Sequence, residues 1–205
     1  MSVPSTSPTP PMSLRERQKQ RRRHRIYTVA IQMFKERGFT GATATDIARL
    51  AHVSRGTFFN YYPYKEAVLL DYGAEVIGKL AERAQEQLDS GQEPLDVLRF
   101  VWRELAGITI SDKDLIPPLV YELINPDPER ARVAYETLPL SAILGKVLAR
   151  VPGLRPDVSL ERIAFSLTDA YLMTALRWTA YRPDTNLEED LDRALTIVLD
   201  GAFAR

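Results

Sequence analysis

The sequence predicts an all-α fold: a three-helix head followed by a larger helical body, with nine helices over the chain. Three observations predict it. Apolar residues recur at three- and four-residue spacing along most of the chain, as one face of an α-helix requires. No alternating apolar–polar run of strand length interrupts them. Ser, Thr, Pro and Gly fall where helices start and stop.

Each element follows in order. Residues 1–12, MSVPSTSPTPPM, are almost all Ser, Thr and Pro. Such a composition cannot bury apolar surface and is expected to form a disordered tail, with Met12 a candidate alternative start. A helix opens at Leu14, where Ser13 and Glu16 have the spacing of a capping box. Ile26, Ala30, Met33, Phe34 and Arg37 continue it, and Gly38 is expected to stop it. Phe39 should turn inward across the loop. Thr45 is expected to cap a second helix with Asp46 in its first turn and Ile47, Leu50 and Ala51 on its apolar face. His52-Val53-Ser54 is the turn, with Val53 as a buried plug and Ser54 as the cap of a third helix that Pro63 ends. The head is therefore residues 13–63 and the body 64–205.

In the body, a long helix is expected from Lys65 to Leu88, with Leu69, Tyr72, Val76, Leu80 and Leu88 on one stripe. Pro94–Ile108, Lys113–Ile124, Pro128–Arg150, Ser159–Tyr181 and Leu187–Phe203 follow. Pro117-Pro118 is expected to kink the second of these and Pro139 to disturb the third, because proline removes a backbone donor and clashes with the preceding turn. No repeat of 20–50 residues is visible.

Composition narrows the function. Of 205 residues, 45% are hydrophobic and 26% charged, ordinary for a globular protein. The absence of cysteine removes disulfides, thiol catalysis and thiolate metal sites, and fits a reducing cytoplasm. No apolar run is long enough for a bilayer, and neither a membrane partner nor a secretory signal is expected. The net charge of zero hides an asymmetry: residues 1–65 carry +9 and the remainder −9. A cationic head of this kind suits a polyanion.

Two short helices joined by a three- or four-residue turn match a helix-turn-helix, whose second helix enters the DNA major groove. That explains the large polar side chains crowded on the third helix. Val53 and Phe58 pack; Arg55, Thr57, Asn60 and Tyr61 are left facing out. Arg reads guanine, Asn reads adenine and a Thr methyl touches thymine, while Gly56 lets the backbone approach. Upstream, RERQKQRRRHR sets Arg15, Arg17, Lys19, Arg21, Arg22, Arg23 and Arg25 against the single acid Glu16. This tract is expected to clamp phosphates or reach the adjacent minor groove, adding affinity more than specificity.

Residues 26–70 resemble the TetR family of bacterial transcriptional repressors. MFKERGF ends one helix, and TATDIARLAHVSRGTFFNYYPYKEAVLL follows. Gly38, Phe39, Thr45, Ile47, Ala48, Val53, Ser54, Gly56, Thr57, Tyr61, Lys65, Glu66 and Leu69 match the family pattern. The resemblance implies a dimer on palindromic double-stranded DNA. It implies phosphate contacts from Thr45 and Lys65, with Thr43 and Ser54 beside them at the helix starts. It also implies a small-molecule effector held in the body. Phe59 departs from the family where a phosphate-binding Tyr is usual, Tyr62 stands where a buried Phe is usual and needs a partner for its hydroxyl, and Tyr64 replaces a small capping residue.

The expected effector is largely apolar, and its candidate contacts are Phe100, Val101, Trp102, Leu105, Leu119, Tyr121, Leu123, Tyr135, Phe165, Met173 and Trp178. The penultimate helix is apolar on two faces, as expected when one meets the core and the other a second subunit. Ile163, Leu167, Tyr171 and Thr174, with Leu191, Leu195 and Val198 from the last helix, are the expected homodimer interface. An enzyme is not expected: His24 and His52 lie near no acid pair or nucleophile, and no phosphate-cradling loop or metal cluster is present, so no metal or cofactor is called for. The remaining alternative is a helical adaptor whose basic head binds an acidic protein.

Overall fold

The computed structural model describes residues 13–181 and 184–203. The expected Ser/Thr/Pro tail lies outside the described residues. Ten helices are described: α1 Leu14–Gly41, α2 Ala44–Leu50, α3 Arg55–Tyr61, α4 Ala67–Asp89, α5 Pro94–Ser111, α6 Ile116–Leu123, α7 Pro128–Thr137, α8 Leu140–Leu148, α9 Leu160–Tyr181 and α10 Leu187–Ala202. The only pairing outside them, among the described residues, is a single bridge between Leu154 and Phe203.

The buried residues form two clusters. In the head, Ile26, Ala30, Met33 and Phe34 of α1 meet Ile47 and Ala48 of α2, Phe58 of α3, and Val68, Leu69 and Tyr72 of α4. In the body, Leu70, Ile77, Leu80 and Leu88 of α4 join α5, α6 and α8–α10. One long helix thus belongs to both cores.

Several starts and stops follow side-chain chemistry. Ser13 and Glu16 form the expected reciprocal box, with the Ser13 amide donating to Glu16 at 2.8 Å. Gly38 breaks the α1 backbone at φ 71°, a conformation open to glycine at little cost, although helical turns resume through Gly41. Thr43, not Thr45, caps α2: its hydroxyl oxygen accepts from the Asp46 amide at 3.1 Å and its proton goes to the Asp46 carboxylate. Ser54 caps α3 as expected, accepting from the Thr57 amide at 3.0 Å. Pro117 and Pro118 do not kink a helix. They lie in the first turn of α6, where missing amide protons would have no intrahelical acceptor. Pro139 divides the expected Pro128–Arg150 helix into α7 and α8.

Candidate DNA-binding head and effector cavity

The helix-turn-helix is α2, a turn and α3. His52 takes a left-handed conformation at φ 51° to make the turn, and Val53 packs on the head core behind it. Phe58 is buried and stands edge-on to Phe59 at 5.2 Å between centroids, which fixes the roll of α3. Arg55, Gly56 and Asn60 are exposed, with Thr57 and Tyr61 half-buried beside them. The Arg55 guanidinium lies 5.5 Å from the Phe59 ring, one turn along α3. Thr57 bonds the Ser54 hydroxyl at 2.8 Å, leaving its methyl for apolar contact. Thr43, Thr45 and Ser54 are exposed at the starts of α2 and α3.

Arg21 and Arg22 are exposed on α1, whose first buried residue is Ile26. Arg23 is different. Its fork closes on Asp71 of α4 at 2.7 and 3.0 Å, and its plane lies 4.7 Å from the Tyr62 ring. Tyr62 also donates to Asp71 at 2.7 Å, which is the partner its hydroxyl requires. Arg23 therefore ties α1 to α4 with its charge already paired. Lys65 is likewise committed: it donates to the carbonyls of Phe39 at 2.8 Å and Ala42 at 3.2 Å, over the Phe39 ring. Burial lowers its pKa, opposed by Glu66. It precedes α4, and two of its three donors close the loop between α1 and α2 rather than face outward.

In the body, α4, α6, the α7–α8 junction and α9 enclose an apolar cavity of about 60 Å³. Of the expected effector contacts it brings together Leu105, Leu119, Leu123, Tyr135 and Phe165. It leaves out six. Val101 and Trp102 are core, the indole donating to the Leu191 carbonyl at 2.7 Å. Trp178 donates to Thr185 at 2.8 Å, Phe100 carries Arg83 on its ring, Met173 is 44% exposed on α9, and Tyr121 lies across α6 in an open groove with Arg37 and Lys113. Lining residues not foreseen as effector contacts include Tyr72, Gly73, Val76 and Ile77 of α4, Leu138, Leu140 and Ser141 at the α7–α8 junction, and Thr168 and Tyr171 of α9. A Cβ at Gly73 would stand 2.5 Å from a Leu138 methyl and 3.3 Å from a Leu119 methyl, so a larger residue there would push those side chains aside.

Two polar links join body to head, the first from the cavity wall. Tyr72 donates to Asp112, which pairs with Lys35 of α1 at 2.9 Å. Buried Glu122 of α6 pairs with Arg130 of α7, whose guanidinium lies 3.8 Å from the Tyr64 ring beside α3.

The faces of α9 are the reverse of the expected interface. Ile163, Leu167, Tyr171 and Thr174, with Leu191 and Leu195 of α10, are buried in the chain's own core and offer no surface to a partner. The exposed apolar residues of these two helices include Phe165 and Met173 of α9 and Ile197 of α10, Ile197 being 67% exposed, with half-buried Leu176 and Val198 packed on the body core.

A helix-turn-helix head sharing one helix with a body that encloses an apolar cavity is the arrangement of a ligand-responsive DNA-binding regulator. A family of TetR/AcrR transcriptional repressors matches at its C-terminal domain over residues 74–201, and the tetR family of bacterial regulatory proteins matches over residues 26–72. The chain belongs to the TetR/AcrR family. It is similar to Thermus thermophilus FadR, a TetR family transcriptional repressor solved with lauroyl-CoA, at 50% identity over 89% of this chain and 96% of that one, with a TM-score of 0.84. It is also similar to the HTH-type transcriptional repressor KstR2 of Rhodococcus jostii, at 27% identity over 94% of this chain and 97% of that protein. Four other curated regulators match over 23–38% of their own length. No described helix is long and apolar enough to cross a membrane, and no described cluster of side chains could hold a metal ion.

Proposed function

We propose that this chain is an acyl-CoA-responsive repressor that binds a palindromic operator as a homodimer and leaves it when the acyl chain enters the cavity. The observation that carries this reading is the almost wholly apolar cavity against α4, in a chain half identical to a repressor solved with lauroyl-CoA. Arg55, Thr57, Asn60 and Tyr61 read the major groove. Thr43, Thr45, Arg21 and Arg22 meet phosphates. Met173, Leu176, Ile197 and Val198 supply the subunit contact.

The cavity, at about 60 Å³, has room for a few water molecules and not for a fatty acyl chain. Binding must therefore part its walls, and α4 forms one of them through Tyr72, Gly73, Val76 and Ile77. Displacing α4 carries the head with it and changes the separation of two heads in a dimer. The effector acts only to the extent that it binds the parted state better than the closed one. The test is titration of a complex with selected DNA using lauroyl-CoA. The expected result is release at micromolar effector, and retention of the complex at saturating effector would reject the reading.

A further inference from the structure

Five side-chain hydroxyls line the cavity, on Tyr72, Tyr135, Ser141, Thr168 and Tyr171. A hydroxyl has one proton, so each can be traced. Tyr72 gives its proton to Asp112. Thr168 gives its proton to the Ala164 carbonyl at 2.9 Å. Thr109 gives its own to the Leu105 carbonyl at 2.9 Å, so in its 2.9 Å contact with Tyr171 the tyrosine must be the donor. Burial also pushes the Tyr171 pKa up, which keeps that proton in place. Three of the five are therefore spent on protein acceptors. Ser141 and Tyr135 donate to nothing in the described residues.

The two free donors are not placed at random. Tyr135 is 47% exposed and Phe165 40% exposed, so they mark the mouth, and Ser141 is a half-buried lining residue. Leu105, Val120 and Tyr171 are buried and mark the inner end. An effector's carbonyl oxygen needs a donor, and leaving it without one inside an apolar wall is costly.

We infer that Ser141 and Tyr135 bind the thioester carbonyl oxygen of the effector at the mouth, so that the acyl chain enters tail first and its methyl end lies against Leu105 and Tyr171. This assignment rests on the acyl-CoA reading. It makes the site selective for chains whose acceptor is confined to one end. A keto oxygen farther along the chain meets only hydroxyls whose protons are already given away.

The experiment compares lauroyl-CoA with S-dodecyl-CoA, a thioether of the same chain without the carbonyl oxygen. Both are titrated calorimetrically into the wild-type chain, Ser141→Ala, Tyr135→Phe and the double variant. The readout is the ratio of the two affinities, which partial misfolding does not alter because both ligands report the same folded fraction. The wild type should prefer lauroyl-CoA by about three- to tenfold per hydrogen bond. Each single variant should reduce the preference and the double variant should abolish it. A preference that survives in the double variant overturns the assignment while leaving the acyl-CoA reading intact. A wild type that binds neither ligand overturns the reading and the assignment together.

Discussion

Tyr72 and Lys35 meet through one carboxylate. The tyrosine, on the cavity wall, donates to Asp112, and the lysine, on α1 of the head, holds the other oxygen of that carboxylate at 2.9 Å. Asp112 ends α5, so three elements converge where the effector would press on α4. Tyr72→Phe keeps the ring and removes the proton. The effector should still bind, but its affinities for the free and DNA-bound protein should move closer by about 0.5–2 kcal/mol. Calorimetry on both forms checks this, and an unchanged difference would show that the triad carries no coupling.

Base reading is assigned to Arg55 and Asn60 because both are exposed on α3 while Phe58 buries that helix against the head. Arg55→Ala and Asn60→Ala should each relax preference at particular operator positions, at about 1–3 kcal/mol where a bidentate contact is lost. Selection from randomised duplexes measures this directly. Unchanged base preferences in both variants would reject the assignment.

Lys65 is predicted to act on stability more than on DNA. Lys65→Met strips the donor from the Phe39 and Ala42 carbonyls. The loss should be about 1–2 kcal/mol, roughly 2–8 °C in melting temperature. The salt dependence of DNA binding should stay as it was. A phosphate contact would instead lower the salt slope by about one.

Much of the head was legible from local chemistry. Caps depend on residues three apart, so Ser13 with Glu16 and Ser54 with Thr57 announced themselves, and Tyr62 announced its need for a partner. Thr43 and Thr45 both precede an apolar run, and spacing alone does not separate them; the Asp46 amide and carboxylate do. The two faces of α9 were visible as periodicity, but which face turns inward depends on how α8 and α10 pack, and no local pattern encodes that. The cavity was half legible for the same reason. Leu105 and Phe165 were in view, whereas Gly73 and Ser141 matter only because α4 and the α7–α8 junction meet far apart in sequence.

The outward stripe on α9 and α10 gives a separate prediction. Met173→Glu with Ile197→Glu places charge on apolar surface that the chain itself leaves exposed. The variant should fold and sediment as a monomer and lose its preference for palindromes over single half-sites. A dimer that persists would put the interface elsewhere.

Alkaline pH should weaken the fold. Burial first, and then a carboxylate partner, raises the pKa of Tyr27, Tyr62 and Tyr72 above the ordinary tyrosine value of 10.0. A raised pKa means the folded chain keeps protons that the unfolded chain releases. The stabilisation is complete below about pH 10 and is lost progressively above it. Melting temperatures should therefore fall as pH rises past about 10, and less steeply in Tyr62→Phe. A decline of equal slope in the variant would count against Tyr62 as a contributor.

The central claim is that the cavity and the head are coupled through α4. It is tested most directly by measuring the affinity of lauroyl-CoA for the free protein and for its complex with selected operator DNA. The predicted result is binding at least about fivefold tighter to the free protein, the lower end of common coupling energies. Equal affinity for the two forms would contradict the account, however tightly the ligand binds.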